Sequence, residues 1–389
     1  MSEEKKIGLG LYIHVPFCGK ICDYCDFFAI SAPERLHLEY LDLVSREILT
    51  FSESRPGLLE QVETVYIGGG TPSVLSPELL QRLFSVLRCA GVPLEGLREF
   101  TMEFNPESCT EDRLSVAMEN GVNRASLGIQ SFDSFLLSQI GRRHTADVGE
   151  NALKLLSSTK NLRVSADLMF NLPGQSLESF LGDLERLSDY PLGHISFYGL
   201  KVDPASRLGR RIERGELSVD EDLYAPMYAQ GVERLAGKGF VRYETSNFAR
   251  EGQESLHNLN YWRRGEYLAF GPGAHGFLDG VRFYAPEMYA RWREYVRKGL
   301  PRDMLTLDVV GHQEAVAECF QLSLRTKYGL DLSELGSMGA SIDSLVLNRW
   351  LERGYITQKG SVIALCGDGW LFMDRVVEDL FCNCRVEKA

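Results

Sequence analysis

The sequence has no long apolar run and no basic run, and each absence excludes a class of protein. No stretch stays apolar for the roughly 18 residues that a membrane-spanning helix needs, and the start, MSEEKKIGLG, lacks the apolar core of a secretory signal. Lysines and arginines number 42 against 54 aspartates and glutamates, which gives a formal net charge of −12. This acidic balance argues against nucleic acid or an anionic membrane surface as a partner. We expect a cytoplasmic globular protein whose 389 residues form one large and one smaller domain.

The nine cysteines are an odd number, and in a long intracellular chain they argue against a disulfide framework. Three of them, Cys18, Cys22 and Cys25, stand together in CGKICDYC, directly after the strand-like run LGLYIHV. A structural zinc site needs a fourth ligand, which His14 would supply only by leaving the inward face of its strand. Three thiolates with one metal position left open favour an iron-sulfur cluster instead.

Short strand-like runs alternate with amphipathic, helix-like segments as far as residue 235. The runs cover residues 11–15, 64–68, 99–104, 124–129, 164–170 and 194–200. Six such units predict a parallel sheet covered by helices. The first helix is predicted over 34–51, after a long loop that carries the cysteines, and long loops of this kind are usually functional.

Alternation along these runs predicts a sheet with one apolar face and one polar face. Leu11, Ile13 and Val15 are typical of the apolar face. The polar face consists of Tyr12, His14, Thr101, Glu103, Ser126, Gln130, Ser165, Asp167, Ser196 and Tyr198. A buried polar group without a partner costs about 1–3 kcal/mol. We therefore expect the strands to curve around a polar ligand.

The CxxxCxxC loop after a first strand, followed by GGGTP (68–72) after a second, resembles the radical S-adenosylmethionine (SAM) superfamily. The resemblance implies an α/β fold built on a partial (β/α)6 radical SAM barrel. It also implies a 4Fe-4S cluster on Cys18, Cys22 and Cys25, with SAM chelating the fourth iron and yielding a deoxyadenosyl radical on reduction. The glycine run would let the backbone approach the methionine end of SAM.

Further motifs are similar to the oxygen-independent coproporphyrinogen III oxidase family: YIHVPFC, GGGTP, MEFNPES, LGIQSF, IGRRH and DLMFNLPGQ, in that order. Carried over position by position, the resemblance implies SAM contacts at Tyr12, Gly69, Gly70, Thr71, Glu103, Gln130, Arg142 and Asp167. Within this set Gln130 and Asp167 suit ribose hydroxyls, and Arg142 suits the SAM carboxylate through charge-assisted hydrogen bonds.

Two departures point to the heme chaperones of that family rather than to its oxidases. The oxidases carry one more cysteine where this chain has Phe27, and they have a longer N-terminal extension before the first strand. The segment HNLNYW (257–262) resembles the HNxxYW pattern of the chaperones, and GPGAHG (271–276) follows it as in that group. The resemblance implies His257 as the heme ligand; a structural loop histidine is the alternative.

Beyond residue 300 the pattern becomes helical with a small hairpin around KGS (359–361), similar to the winged-helix-like C-terminal domain of the same family. The predicted units are a radical SAM barrel over 1–235, a connecting region with the HNxxYW motif over 236–300, and a smaller, mostly helical domain over 301–389. A winged-helix fold alone does not imply DNA binding. Cys382 and Cys384 are predicted to be plain thiols, because two cysteines make no complete metal site.

The resemblance predicts a heme chaperone that binds heme, a 4Fe-4S cluster and SAM, and hands heme to apo-hemoproteins, with respiratory acceptors as candidates. It also implies an electron donor for the cluster and is compatible with peripheral contact with membrane-bound acceptors, and no nucleic acid is expected. Two alternatives stay open: an oxygen-independent coproporphyrinogen III oxidase, and another radical SAM reaction such as RNA modification. Whether the chain is an enzyme that turns SAM over also stays open.

Overall fold

Six parallel strands form the centre of the structure, a computed structural model that describes residues 7–387. In chain order they are β1 (Leu9–Val15), β2 (Val62–Gly69), β3 (Glu99–Phe104), β4 (Arg124–Gln130), β5 (Arg163–Phe170) and β6 (His194–Gly199). Each strand pairs in parallel with the next one along the chain. The six predicted runs all fall within or overlap these strands, and the predicted parallel sheet is confirmed.

Eight helices connect and follow these strands. They are α1 (Glu34–Ser54), α2 (Pro77–Cys89), α3 (Glu111–Glu119), α4 (Ser134–Gln139), α5 (Ala146–Ser157), α6 (Leu177–Ser188), α7 (Arg207–Glu213) and α8 (Tyr224–Gly237). All but α4 and α7 pack in the large core on the outer face of the strands, whereas α4 and α7 pack in a separate cluster with Met169, Leu172 and Leu200. Helix α2 shows how local sequence starts a helix. Ser76 caps it by accepting the N–H of Leu79, and Pro77 occupies the first helical position. The buried leucines of α2 join Leu11 and Ile13 of β1 in one large core.

The sheet continues through the predicted connecting region, 236–300, and includes one strand from the segment that was predicted to belong to the C-terminal domain. Residues 236–310 supply the strands β7 (Val241–Arg242), β8 (Asn247–Ala249), β9 (Tyr267–Phe270), β10 (His275–Leu278), β11 (Val281–Tyr284) and β12 (Thr306–Val309), with helices α9 (Leu256–Trp262) and α10 (Tyr289–Arg297). Strand β9 pairs with β1 and β8 pairs with β6, so β1 and β6 never meet and the barrel is partial, as predicted.

The C-terminal part has its own hydrophobic core, which runs from Val316 to Leu380. Its elements are α11 (His312–Ser323), β13 (Leu330–Asp331), α12 (Leu332–Ser337), β14 (Ala340–Ile342), α13 (Ser344–Glu352), β15 (Ile356–Lys359), β16 (Val362–Leu365), α14 (Met373–Cys382) and β17 (Cys384–Val386). Strands β15 and β16 form the predicted hairpin, and Gly360 takes the positive φ of 61° that its turn requires. The small domain of helices and a hairpin is confirmed.

The boundaries of the three predicted folding units stay a prediction. In the sheet itself, residues 236–300 are continuous with the barrel. Residues 1–6 and 388–389, which the predicted units include, lie outside the described range. Within residues 7–387, the structure contains no helix of sufficient length and apolarity to span a bilayer.

Ion pairs join the C-terminal part to the sheet. Glu318 of α11 accepts a hydrogen bond from Arg264 Nε at 2.6 Å and pairs with Arg282 of β11 through its other oxygen. Lys327 binds Glu254 at 2.9 Å, close to the start of α9. These contacts attach the C-terminal part to the segment that carries HNLNYW.

A buried carboxylate closes the amino-terminal end of the barrel. Glu99, the first residue of β3, accepts hydrogen bonds from Ser255 Oγ at 3.1 Å and from the N–H groups of Leu256 and His257 at 3.0 Å each. Burial opposes its ionisation, but the neighbouring arginines and these donors outweigh burial and hold the pKa of Glu99 below its usual range. Helix α9 is thereby anchored across the strand ends.

Candidate functional site

A cavity of about 470 Å³ occupies the inside of the partial barrel. Glu103 of β3, Gln130 of β4, Asp167 of β5 and Tyr198 of β6 all line it, together with the cysteine loop between β1 and α1. Its volume lies in the range of small-molecule sites, which run from about 300 to 1,000 Å³. The predicted polar inner face is therefore present and surrounds an open space.

The three cysteines of the loop line one side of this cavity. The Sγ atom of Cys18 lies 3.6 Å from Thr71 Oγ1, and that of Cys22 lies 3.6 Å from a terminal nitrogen of Arg142. Burial raises the pKa of Cys18 and raises the pKa of Cys25 to about 11. Both thiols are protonated at neutral pH, and metal binding would release their protons.

Backbone contacts fix the path of the cysteine loop. The N–H of Cys18 donates to Ile30 O at 3.1 Å, and the N–H of Ile30 donates to Pro16 O at 2.7 Å, which ties the two ends of the loop together. At the middle of the loop, the N–H of Asp23 donates to Ile140 O at 3.0 Å. The thiols are therefore presented by an anchored loop rather than by a free one.

The glycine run after β2 serves this anchoring. A Cβ atom on Gly70 would stand 2.6 Å from the backbone oxygen of Phe17, closer than atoms can approach. The N–H of Gly70 donates to Val15 O at 2.8 Å, and the N–H of Thr71 donates to Phe17 O at 2.7 Å. The structure thus gives the glycine a role that the sequence did not suggest, namely close approach to the strand that leads into the cysteine loop.

Glu103 is a buried acid whose pKa is raised. Its Oε1 accepts the hydroxyl of Tyr66 at 2.6 Å, and its Oε2 accepts the N–H of Gly69 at 3.2 Å. Burial outweighs these two donors and raises the pKa of Glu103 to about 7. A cationic ligand in the cavity would favour the ionised form.

Gln130 and Asp167 face the cavity from neighbouring strands. Gln130 has a φ of 68° at a register shift in β4, and such irregularities re-aim a side chain. Its Oε1 accepts the hydroxyl of Tyr198 at 2.9 Å. Asp167 accepts the hydroxyl of Ser126 at 3.4 Å, and burial raises the pKa of its carboxyl group.

Two polar atoms at the cavity lack a partner within the described protein. They are the hydroxyl of Thr101 and the Nε–H of Arg142, both of which are buried. The remaining nitrogens of Arg142 reach Cys22, Asn105 and the backbone oxygen of Gly128. Unpaired buried groups are costly, so a polar ligand that also meets the three thiols fits this cavity.

The zinc alternative does not match the arrangement. Both ring nitrogens of His14 are engaged: Nδ1 lies 3.2 Å from the hydroxyl of Tyr12, and Nε2 lies 2.9 Å from Phe28 O. Among residues 7–387, no three side chains of His, Cys, Asp and Glu converge on a single metal ion. His14 is therefore held as a structural residue behind the cysteine loop.

Seven of the eight positions implied for SAM line the cavity: Gly69, Gly70, Thr71, Glu103, Gln130, Arg142 and Asp167. Tyr12 does not line the cavity. It pairs in register with Tyr66 of the neighbouring strand, with ring centroids 6.2 Å apart, and Tyr66 does line the cavity. The structure thus brings seven of the positions together and leaves Tyr12 beside them on the same face of the sheet.

His257, the predicted heme ligand, lies in a helix and not in the loop that the alternative assumed. It lies in the first turn of α9 and is 0% exposed. Its Nδ1 lies 2.9 Å from Thr64 Oγ1 and its Nε2 lies 2.8 Å from the hydroxyl of Tyr261. Burial lowers its pKa to about 4. Both ring nitrogens hold hydrogen bonds inside the core, so ligation of an iron would require one of these bonds to be released, and the role of His257 as heme ligand stays a prediction.

Several lining residues were missed by the sequence reasoning. They include Tyr66, Asn105, Arg124, His194 and Asn258. Alternation along β2 places Tyr66 on the inner face, so that signal was available. Arg124 and His194 lie at the starts of β4 and β6, and Asn258 lies in α9. They approach one another because the sheet curves, which local sequence patterns do not show.

Comparisons with known proteins agree with this geometry. The profile of the Radical SAM superfamily matches residues 12–187. A Bacillus subtilis (strain 168) protein named heme chaperone HemW is 34% identical over 374 residues, which span 94% of this chain and 97% of that protein. The chain belongs to the HemW family. A HemW protein from Lactococcus lactis is also 34% identical, with 82% of each chain covered.

This chain also shares its fold with an oxidase of known structure. The coproporphyrinogen III oxidase HemN from Escherichia coli, described as a radical SAM enzyme, matches this chain with a TM-score of 0.83. The match covers 97% of this chain and 91% of that structure at 20% identity. At this identity the likeness shows only a shared fold. The assignment of this chain to the HemW family rests on the two HemW proteins named above.

The buried position of His257 generates a stability prediction. We expect His257→Ala to lower the free energy of unfolding by about 1–3 kcal/mol, because the hydroxyls of Thr64 and Tyr261 lose a buried partner. Equilibrium denaturation measures the change. His312→Ala, which removes an exposed imidazole at the start of α11, is the control and should stay within about 0.5 kcal/mol of the parent. Equal stability of both variants would contradict the buried placement.

Proposed function

We propose that this chain is a heme chaperone that holds a 4Fe-4S cluster and SAM in the barrel cavity and transfers heme to apo-hemoproteins. The observation that carries the proposal is the cavity itself, in which three cysteines meet a polar inner wall in a member of the HemW family. The curated relatives of this family are named heme chaperones, and this activity is what we extend to the chain.

Cys18, Cys22 and Cys25 are the residues we assign to the cluster. When bound, the cluster would supply electrons to SAM and an open iron for its amino and carboxylate groups. Arg142 is placed to offset the negative charge of the thiolates, since it contacts Cys22 and is held by Asn105. This arginine also carries the unpartnered Nε–H that a ligand carboxylate would satisfy.

The residues that we assign to SAM offer different chemical groups. Gln130 and Asp167 offer the amide and carboxylate acceptors that suit ribose hydroxyls, and Glu103 offers a buried acid for an ammonium group. Gly69, Gly70 and Thr71 form the edge of the cavity next to Cys18. Tyr12 stands beside Tyr66 on the same face of the sheet, and we retain it as a SAM residue at the edge of the lining.

The open side of the cavity is where we expect protein partners to bind. Lys20, Phe27 and Lys201 stand exposed at its rim, which is the side we assign to an electron donor. Apo-hemoproteins are the acceptors, with respiratory proteins as candidates and peripheral contact with membrane-bound ones. We place the protein in the cytoplasm, where the free cysteines stay reduced.

Heme transfer and porphyrin oxidation can be separated directly. We expect the anaerobically reconstituted protein to bind heme and pass it to an apo-hemoprotein faster than heme-loaded serum albumin does. We also expect no conversion of coproporphyrinogen III to protoporphyrinogen IX, because Phe27 stands where the oxidases have a further cysteine. Parallel assays of both reactions measure this. Robust decarboxylation with SAM consumed in proportion would establish the oxidase function instead.

The cluster assignment predicts a specific loss of iron. Anaerobic reconstitution should give about four irons per chain, and Cys18→Ser, Cys22→Ser and Cys25→Ser should each lose most of this iron because three thiolates hold the cluster. Iron and sulfide analysis with the visible spectrum measures the loss. Cys89→Ser removes an exposed thiol at the end of α2 and is the matched control. Unchanged iron in the three loop variants, or a single tight zinc, would contradict the assignment.

The SAM assignment predicts a pH dependence through Glu103. Burial raises the pKa of Glu103 to about 7, so the acid gains a proton as the pH falls from about 8 to about 6 and loses its attraction for the SAM cation. We expect SAM affinity to fall over this range in the parent and to be lower and nearly pH-independent in Glu103→Gln. Calorimetry on cluster-loaded protein measures the affinity.

The matched control for this experiment is Glu119→Gln, which removes an exposed carboxylate at the end of α3. It should bind SAM with the pH profile of the parent. A Glu103→Gln variant with parental affinity and parental pH dependence would remove Glu103 from the SAM site while leaving the cluster assignment intact.

A further inference from the structure

A second cavity, of about 380 Å³, lies on the other side of the sheet from the barrel cavity. The two cavities have no lining residue in common. Leu268 and Phe270 of β9 form part of the wall of the second cavity, and they pair in register with Leu11 and Ile13, which belong to the large core on the outer face of the strands. The other walls come from α1, α10 and the strands β10–β12. This cavity is therefore independent of the site that we assign to the cluster and SAM.

The interior of this cavity is apolar and carries little charge. Phe51, Leu278, Phe283 and Leu305 line it together with the two residues of β9. The acid at its inner end is Glu47 of α1, which is 2% exposed and whose Oε2 accepts two N–H groups of the surrounding protein. Burial raises the pKa of Glu47 to about 8. At neutral pH this acid is largely protonated, so the inner end does not repel an apolar or anionic ligand.

The mouth of the cavity has a net positive charge. The charged residues there are Arg55, Asp279 and Arg302, and all three are exposed. Arg55 pairs with Asp279 at 3.4 Å, but both side chains are more than half exposed, and such pairs contribute little to stability. An incoming carboxylate can therefore compete with Asp279 for Arg55. The side chain of Arg302 has no hydrogen bond or ion pair in the described part of the chain, and its guanidinium is available to an anion.

Helix α1 gives the length of the cavity. Glu47, Phe51 and Arg55, which caps the helix, follow one another at intervals of four and so lie on one face. An α-helix rises about 1.5 Å per residue, so the inner acid and the arginine at the mouth are about 12 Å apart. With carbon–carbon bonds of about 1.5 Å, an extended alkyl chain of about ten carbons spans this distance. One such chain fits the cavity, whereas the two longer chains of a membrane phospholipid do not.

We propose that this cavity binds a medium-chain acyl anion, with its alkyl chain against Phe51 and Phe270 and its carboxylate at Arg55 and Arg302. Removing the alkyl chain from water supplies the main driving force. The two guanidinium groups form charge-assisted hydrogen bonds to the carboxylate and fix the direction in which the chain enters. The proposal goes beyond heme transfer and does not depend on it, because no residue of the barrel cavity takes part.

Calorimetric titration of the cluster-loaded full chain with decanoate, below its critical micelle concentration, tests this proposal. We expect one decanoate per chain. Octanoate should bind more weakly, and dodecanoate and tetradecanoate should gain little over decanoate because the cavity ends at Glu47. The alcohol 1-decanol has the same chain without the charge and should bind about fivefold or more weakly than decanoate. Affinity that keeps rising by the same factor up to tetradecanoate would contradict a closed cavity.

Variants of the mouth and of the wall separate the two ends of the ligand. The double variant Arg55→Ala with Arg302→Ala should weaken decanoate binding about tenfold or more and leave 1-decanol binding unchanged, because only the charged group loses its partners. Arg375→Ala, which removes an exposed arginine of α14, is the matched control.

Leu305→Trp should weaken the binding of both compounds, because the larger ring fills the cavity. Leu345→Trp, at a leucine of α13 that is 78% exposed, is its matched control. Both controls should bind decanoate as the parent does. Parental unfolding midpoints in all variants show that the fold is intact.

The outcomes are separate from those that test the proposed function. Hemin binding and iron content should stay parental in every variant, and failure of heme transfer by the parent would leave decanoate binding unaffected. Parental decanoate affinity in the double arginine variant or in folded Leu305→Trp, or equal weakening in the control variants, would overturn the proposal. Binding to phosphatidylglycerol vesicles without binding of free decanoate would also overturn it, because the arginines would then meet a membrane surface rather than a single acyl anion.

Discussion

The cavity depends on one constraint, which is that a β-strand sends successive side chains to opposite faces. Along β1–β6 the outward positions are apolar and pack under the helices, so the inward positions are left for polar residues. The sheet cannot fill its interior with apolar side chains in the way a closed barrel does. It therefore surrounds a space in which Glu103, Gln130 and Asp167 meet.

The two ends of this space are held by different means. At the amino-terminal end, the buried carboxylate of Glu99 anchors α9 across the strand ends, so this end is sealed by protein. At the other end, backbone hydrogen bonds anchor the cysteine loop, and Gly70 allows the chain to pass Phe17. A sealed base and an anchored rim leave one open side, where the three thiols face the polar wall.

A second buried acid supports the loop that carries His275. Glu47 of α1 accepts the N–H of Gly271 at 2.9 Å and the indole N–H of Trp292 at 3.2 Å. Burial outweighs these donors and raises the pKa of Glu47 to about 8, so this acid is largely protonated at neutral pH. The segment GPGAHG is thus fixed from behind by α1 and α10, while His275 at its far end stays exposed.

The parallel sheet, its polar inner face, the cysteine loop and the C-terminal hairpin could all be predicted from the sequence alone. These features follow from local periodicity and spacing, which the chain carries whatever its neighbours are. The resemblance in motifs then identified seven positions that line the cavity. Which residues are exposed to solvent could not be predicted in this way, because burial depends on packing between elements that are distant in sequence. Thr64 and Glu99 lie more than a hundred residues before His257, yet together they seal it in the core, and the motif HNLNYW could not reveal that. In the same way, alternation puts Tyr12 on the face of the cavity residues, but only the folded structure shows that its neighbour Tyr66 lines the cavity and Tyr12 does not.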